Sequence, residues 1–216
     1  MLIRDVMHYP VETVAPQATL AEAYRIMQQK GFRHLPVVEA GRLVGIVTDR
    51  DLRLATSALH PHPFPPEARV ADVMQRRVIT AAPHDPIEEA ARLMRRQRIG
   101  CLPVLEGEVL IGMVTATDLL EALLRLTGAD QPSGRLEVQL AHLPGRLAAL
   151  ATAIAAQQVN VLSILSYAES PQWLRVVLRV DTNRTHPLAE ALRREGFDVI
   201  WPPRKPWFPS STIPTT

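Results

Sequence analysis

The chain has 216 residues, of which 47% are hydrophobic and 21% charged, with one cysteine and a formal net charge of +2. This composition is typical of a globular protein with a packed core, and the balanced charge argues against nucleic-acid binding, which depends on concentrated basic residues. One cysteine excludes an internal disulfide. The start of the chain lacks the apolar core of a signal peptide and no stretch is long enough to span a bilayer, so we expect a cytoplasmic protein without a membrane partner.

An internal repeat organises the first half of the chain. The sequence Asp5-Val6-Met7 returns as Asp72-Val73-Met74, and the same offset of 67 residues holds without a gap as far as Leu52 and Leu119. Each copy predicts a short Val/Thr strand ending at Ala-Pro, an amphipathic helix, two apolar strands and a Leu-rich helix beginning at Asp51 or Asp118. A unit of about fifty residues buries little apolar surface alone, so we expect the copies to pack strand face to strand face around a shared core.

Proline-rich and glycine-containing segments divide the rest of the chain. The segment from His60 to Pro66 alternates proline with other residues and cannot form a regular helix or a central strand. The predicted organisation is repeat 1 at 1–58, a linker at 59–69, repeat 2 at 70–127, a linker at 128–134, a second domain at 135–203 and a proline-rich tail at 204–216. Trp207 and Phe208 in this tail are candidates for docking on a partner subunit. The basic cluster of Arg92, Arg95, Arg96 and Arg98 reads as a solvated helix face.

The repeated motifs resemble the CBS domain. Both copies carry Asp-Val-Met, Leu-Pro-Val and a closing Gly-hydrophobic-Val-Thr-x-x-Asp-Leu motif, which runs from Gly45 to Leu52 and from Gly112 to Leu119. Taken separately, Thr48 and Asp51 stand at a strand-to-helix junction. An aspartate there suits the two hydroxyls of a ribose, and a threonine at a helix N-terminus suits a phosphate. The same pair could equally cap the helix, so capping and ligand binding both remain open.

Arg33 and His34 favour ligand binding, because the resemblance implies phosphate-contacting residues just before Leu-Pro; the second copy has Gly100 and Cys101 there. The family also implies two clefts between the repeats. The first would bind an adenine nucleotide with Arg33, His34, Thr48, Asp51, Val78, Ile79 and Ile99. The second, less equipped for a phosphate, would use Val11, Glu12, Phe32, Thr115 and Asp118.

Residues 135–203 predict the element order βαββαβ, a ferredoxin-like arrangement. The predicted elements are strands at 136–140, 161–167, 173–180 and 198–201 and helices at about 145–157 and 186–195. Together with the turn around Gly145 and with Asn160, this order resembles the ACT domain. The resemblance implies an amino-acid site at Gly145 and Asn160, although His142 replaces the usual acidic residue of the turn. The predicted fold class is therefore α+β, a CBS pair with two β-α-β-β-α units followed by an ACT-like domain.

The order of a CBS pair and an ACT-like domain is similar to that of acetoin-utilisation regulatory proteins of the AcuB type. The resemblance implies a non-catalytic sensor with AMP, ADP or ATP as regulatory ligand, no cofactor, no metal and no nucleic-acid partner. It also implies a homodimer and leaves a target enzyme open. The alternatives are a sensor of S-adenosylmethionine or NADH and a structural dimerisation module with no ligand. An enzyme is not expected, because both regulatory modules together account for nearly the whole chain.

Overall fold

The computed structural model describes residues 1–204 and forms two compact units, divided between Ala122 and Leu123. The predicted proline-rich tail, including Trp207 and Phe208, lies outside the described residues except for Arg204. The helices are α1 (Leu20–Lys30), α2 (Asp49–Ala55), α3 (Val70–Val73), α4 (Ile87–Gln97), α5 (Ala116–Thr127), α6 (Arg146–Ala156) and α7 (Thr185–Arg194). The strands are β1 (His34–Glu39), β2 (Arg42–Thr48), β3 (Cys101–Glu106), β4 (Val109–Thr115), β5 (Gly134–Ala141), β6 (Val161–Ala168), β7 (Trp173–Val180) and β8 (Asp198–Trp201). No helix within residues 1–204 is long and apolar enough to cross a membrane.

Each repeat is built around one antiparallel hairpin, β1-β2 in the first and β3-β4 in the second. In the first hairpin, Ala40 and Gly41 both have positive φ, as a tight two-residue turn between antiparallel strands requires. The predicted Val/Thr strand before each Ala-Pro is wrong in extent. It is reduced to a single parallel bridge, Val14 to Val37 in one repeat and Ala81 to Val104 in the other.

Capping residues set the limits of the long helix in the first repeat. Thr19 and Glu22 form a reciprocal capping box at the start of α1, and Gly31 ends the helix with φ 71°. The second helix of each repeat begins earlier than predicted, because Asp51 and Asp118 are the third residues of α2 and α5. Thr48 and Thr115 therefore directly precede the first residue of α2 and α5, and each lies three residues before the aspartate of its motif.

The N-terminal segment of each repeat packs on the other repeat. Ile3 is buried in a cluster whose remaining members are residues of repeat 2. In the reciprocal arrangement, Val70 and Met74 complete the cluster formed by repeat 1. Backbone hydrogen bonds hold both N-terminal segments on the opposite repeat. His8 and Met113 exchange two N–H to O bonds of 2.8 and 3.1 Å, and Gln75 and Ile46 exchange two of 2.8 and 3.0 Å.

The packing of each N-terminal segment on the other repeat differs from the single shared core that we expected from the sequence. The first unit contains two separate clusters of buried residues, one on each hairpin, and each includes residues from both repeats. Two glycines make the close approach possible. A Cβ at Gly45 would lie 2.5 Å from the sulfur of Met74, and one at Gly112 would lie 2.5 Å from the sulfur of Met7. The repeats are therefore tied together by their first ten residues as well as by their strands.

The second unit is a four-stranded antiparallel sheet with the strand order β6-β7-β5-β8 and two helices, α6 and α7. The element order βαββαβ is the predicted one. Alternate residues of β5 and β7 point into the core, as the two-residue period of a strand requires. Their partners in the core come from both helices, for example Leu150 and Ile154 of α6 and Leu188 and Leu192 of α7.

Candidate ligand-binding site

The first unit contains a cavity of about 780 Å³ lined by side chains of both repeats. This volume lies within the usual range of about 300 to 1,000 Å³ for small-molecule sites. The residues predicted for a nucleotide all line it: Arg33, His34, Thr48, Asp51, Val78, Ile79 and Ile99. The residues predicted for the second cleft line the same cavity: Val11, Glu12, Phe32, Thr115 and Asp118.

The structure thus has one continuous cavity where the resemblance implied two clefts. The two repeats approach each other where the His34 ring lies beside Gly100. A Cβ at Gly100 would stand 3.3 Å from Nε2 of His34, so the glycine leaves this space to the imidazole. Gly100 stands at the position that Arg33 occupies in repeat 1, so repeat 2 has no charge there. The same glycine leaves room for the imidazole of His34.

Only one of the two carboxylate oxygens of Asp51 accepts hydrogen bonds from the described residues. Its Oδ2 accepts hydrogen bonds from the backbone N–H of Thr48 at 3.0 Å and from the Thr48 hydroxyl at 2.7 Å. The Thr48 hydroxyl in turn accepts from the backbone N–H of Asp51 at 3.1 Å, which completes a capping box. Within the described chain, Oδ1 of Asp51 has no hydrogen-bond partner. A carboxylate offers about four acceptor positions, so helix capping and ligand binding are compatible at this residue.

Asp118 has the same cap and one further contact. Its Oδ2 accepts from the backbone N–H of Thr115 at 2.7 Å and from the Thr115 hydroxyl at 2.9 Å. Its Oδ1 lies 2.5 Å from Nε2 of His8, a residue that sequence reasoning did not select. The Asp118 side chain is only 4% exposed, whereas that of His8 is 69% exposed. The two equivalent aspartates therefore differ in how much of the carboxylate is open to a ligand.

Three arginines line the cavity in addition to Arg33: Arg50, Arg77 and Arg98. Sequence reasoning missed them, and the interpretation of Arg98 as part of a solvated helix face is incomplete. Arg98 ends α4 in a left-handed conformation with φ 55°, at the position that Gly31 occupies in the first repeat. Among residues 1–204, no carboxylate lies within salt-bridge distance of any of these four arginines. The cavity therefore offers four guanidinium groups to an anion.

Burial sets the protonation behaviour of His34. The surrounding protein lowers the pKa of the imidazole below its ordinary value of 6.5, because desolvation disfavours the charged form and Arg33 adds repulsion. Asp49 and Asp51 oppose this effect without reversing it. At neutral pH His34 is therefore a neutral hydrogen-bonding group beside the cationic Arg33, and a bound anion would favour its protonated form.

Gly145 and Asn160 lie in the second unit and have structural roles there. Gly145 precedes α6 with φ 82°, a conformation that favours glycine. The backbone of Asn160 exchanges hydrogen bonds with Asp181: its N–H donates to Oδ1 at 3.0 Å and its carbonyl accepts from the Asp181 N–H at 3.1 Å. These contacts account for the backbone of Asn160 and leave its amide side chain exposed. Among residues 1–204, no group of three or more acidic, His or Cys side chains is arranged to hold a metal ion.

The chain is similar both to a small CBS domain-containing protein and to parts of larger enzymes. It is 37% identical over 139 residues to a CBS domain-containing protein of Dictyostelium discoideum, covering 58% of this chain and 93% of that protein. It is also 36% identical to an inosine-5′-monophosphate dehydrogenase of Korarchaeum cryptofilum, covering 66% of this chain but only 28% of the enzyme. The chain thus spans nearly all of the first protein and a minor part of the dehydrogenase.

Solved structures resemble the first part of the chain. One is the CBS domain pair of protein MJ0100 in complex with 5′-methylthioadenosine and S-adenosyl-L-methionine, with 27% identity, a TM-score of 0.53 and coverage of 61% of this chain and 98% of that chain. Another, from Vibrio cholerae, is described as an acetoin utilization protein (AcuB), with 33% identity, a TM-score of 0.52 and the same coverage of both chains.

The CBS domain family matches residues 3–57 and 70–125, the two copies of the repeat. This match covers both hairpins, helices α1 to α4, most of α5 and both Thr-x-x-Asp junctions of the cavity. The expectation of a tandem CBS pair is therefore confirmed. The chain belongs to the CBS domain family.

Proposed function

We propose that this chain is a non-catalytic regulatory sensor that binds an adenine nucleotide (AMP, ADP or ATP) in the cavity between its CBS repeats. The observation that carries the proposal is the half-used carboxylate of Asp51. Its Oδ1 can accept hydrogen bonds from both hydroxyls of a ribose while Oδ2 continues to cap α2. A sensor needs an acceptor of this kind that stays in place without the ligand.

The charges around Asp51 favour a phosphorylated adenosine. Arg33, Arg50 and Arg77 line the same cavity and have no acidic partner within the described residues. Guanidinium groups bind phosphate oxygens in a bidentate manner, which makes an arginine cluster suited to a nucleotide. Val78 and Ile79 supply apolar surface for the base on the segment that follows Gln75, the partner of Ile46 in β2.

S-Adenosylmethionine is the second candidate ligand, because the MJ0100 CBS pair was solved with that compound and with 5′-methylthioadenosine. Both ligands share the adenosine group that Asp51 would bind. They differ from a nucleotide in lacking a phosphate, and the sulfonium of S-adenosylmethionine would lie among arginines. The charge of the cavity therefore ranks a nucleotide before a sulfonium compound.

The second unit is proposed to be an ACT-like domain, residues 135–203, that transmits the ligand state or holds a partner. Its strand order and two helices support this assignment. A role of Gly145 and Asn160 in amino-acid binding is a weaker proposal, since Gly145 carries no side chain and the amide of Asn160 is exposed. Transmission requires that the ligand bind two arrangements of the protein with different affinity.

A second copy of the chain is the proposed partner. Four leucines of α5 are between 46% and 62% exposed: Leu120, Leu123, Leu124 and Leu126. A stripe of large apolar side chains on one helix indicates a surface that another protein covers. Sedimentation equilibrium of the full chain should give twice the monomer mass, and the double variant L120E/L124E should shift it to the monomer mass.

The substitution D51N tests the nucleotide site while sparing the cap. The asparagine carbonyl can still accept from the N–H and hydroxyl of Thr48, but an amide NH₂ replaces the free Oδ1. Losing hydrogen bonds to a charged acceptor costs about 1.5 to 3 kcal/mol, which corresponds to a loss of roughly 10- to 100-fold in nucleotide affinity by calorimetry. The matched control is D118N, at the equivalent position of repeat 2.

Two outcomes would contradict the proposal. Nucleotide binding that survives D51N and is abolished by D118N would place the site in the other half of the cavity. The absence of any thermal shift of the wild-type protein with millimolar AMP, ADP, ATP, S-adenosylmethionine or NADH would refute an adenosine sensor and favour a structural dimerisation module. A shift with S-adenosylmethionine or NADH alone would change the ligand and keep the class of function.

A further inference from the structure

The contact between His8 and Asp118 occupies the position that is open at Asp51. Oδ2 of Asp118 already accepts two hydrogen bonds from Thr115, and Nε2 of His8 stands 2.5 Å from the remaining oxygen, Oδ1. Asp118 is the one fully buried polar or charged residue of the described chain. A buried carboxylate is stabilised by hydrogen-bond partners, so the His8 contact replaces one that a ligand hydroxyl could make.

The surroundings of Asp51 offer a direct comparison, because Gln75 of repeat 2 occupies the position equivalent to His8 of repeat 1. Both residues make the same reciprocal backbone pairing, His8 with Met113 and Gln75 with Ile46. Their side chains differ. Within residues 1–204, that of Gln75 makes no hydrogen bond to Asp51, although both residues line the same cavity. The backbone is matched on the two sides, and the inequality of the two aspartates therefore comes from one side chain.

We infer that His8 is a specificity-determining residue that closes the ribose position of Asp118 and directs the adenosine ligand to Asp51. This inference rests on the proposed adenosine-binding function. The mostly exposed imidazole is held on the cavity side by this contact, and rotation toward solvent would release it at little packing cost. A ligand that binds at Asp118 must first break the His8 contact, which lowers its affinity by roughly 10- to 100-fold relative to an open aspartate.

The charged residues near the two aspartates also differ. Glu121 lies one helical turn after Asp118 on α5, whereas Arg50 precedes Asp51 on α2 and the carbonyl of Arg33 accepts a hydrogen bond from the Asp49 N–H. Once His8 is displaced, the Asp118 side would suit the uncharged end of an adenosine better than its phosphates. The second equivalent of ligand is therefore expected to favour adenosine over ATP, in contrast to the first.

Exchanging the two side chains tests the inference. Calorimetric titration of the full-length protein with AMP and with adenosine should show one dominant binding event in the wild type. H8Q should strengthen a second event by roughly 10- to 100-fold, and the added substitution D118N should remove that gain. The reciprocal variant Q75H should weaken the first event by a similar factor. Circular dichroism melting of each variant checks that it is folded.

The outcomes separate this inference from the proposed function. An H8Q protein that is folded, binds AMP through Asp51 and gains no second event would overturn the role of His8 and leave the sensor intact. A second event in H8Q that persists with D118N would also overturn it. If neither the wild type nor H8Q binds AMP or adenosine, and equivalent titrations with ADP and ATP also show no binding, the proposed nucleotide site is refuted and this inference with it.

Discussion

Replacing Ile3 by alanine tests the crossed packing of the two repeats. Ile3 is fully buried and lies in a cluster with Leu102 and Val114 of the second repeat. The substitution removes three carbon atoms from a packed site. Changes of this size cost about 2 to 5 kcal/mol, because transfer free energy is lost and the surrounding structure collapses only partly into the cavity. Since whole domains are stable by only about 5 to 15 kcal/mol, urea unfolding should detect the loss readily.

A double-mutant cycle identifies the neighbours of Ile3. Val114 and Val47 are equivalent positions of the two repeats and are both fully buried, but only Val114 belongs to the cluster around Ile3. We expect I3A and V114A to deviate from additivity by about 0.5 to 3 kcal/mol, and I3A and V47A to add within about 0.5 kcal/mol. Strong coupling to V47A together with additivity to V114A would refute the crossed packing.

Two further predictions concern titratable groups in the first unit. Burial raises the pKa of the Cys101 thiol to about 12, so a disulfide reagent at pH 8 should label the native protein far more slowly than the urea-unfolded chain; equal rates would contradict the burial. The pKa of His34 lies below its ordinary value, so the unfolded chain takes up this proton first as the pH falls below about 6.5. The stabilisation from neutral His34 is thus complete above that pH and declines below it. Urea unfolding from pH 8 to pH 5 should show the wild type losing stability relative to H34Q, and parallel curves for the two proteins would contradict the shift.

The candidate site was partly predictable because its main motif is contiguous in the chain. Gly45 to Leu52 contains the end of a strand, the N-cap and the third residue of a helix, so local rules fix where Thr48 and Asp51 lie relative to each other. His8, Arg50, Arg77 and Arg98 escaped prediction, because the other repeat carries a different residue at each equivalent position and the repeated motifs therefore do not mark them. Arg98 would have been found only by asking which residue replaces Gly31 at the helix end.

The Thr-x-x-Asp motif alone could not decide between helix capping and ligand binding. The spacing of Thr-x-x-Asp is the same in both repeats, and both aspartates cap their helices. Only the three-dimensional contacts show that one oxygen of Asp51 is unpartnered within the described chain while the matching oxygen of Asp118 meets His8. Those two residues are 110 positions apart, and no periodicity in the sequence connects them.

The sequence by itself determined the repeat, the order of its elements and the identity of the family. These follow from local propensities and from a duplicated motif, which are both properties of short segments. The tertiary structure alone decided that the first ten residues of each repeat complete the core of the other, and that the two predicted clefts form one cavity. Such long-range pairings depend on how hydrophobic faces satisfy each other in space, and the hydrophobic pattern of Ile3 or Val70 is compatible with either repeat.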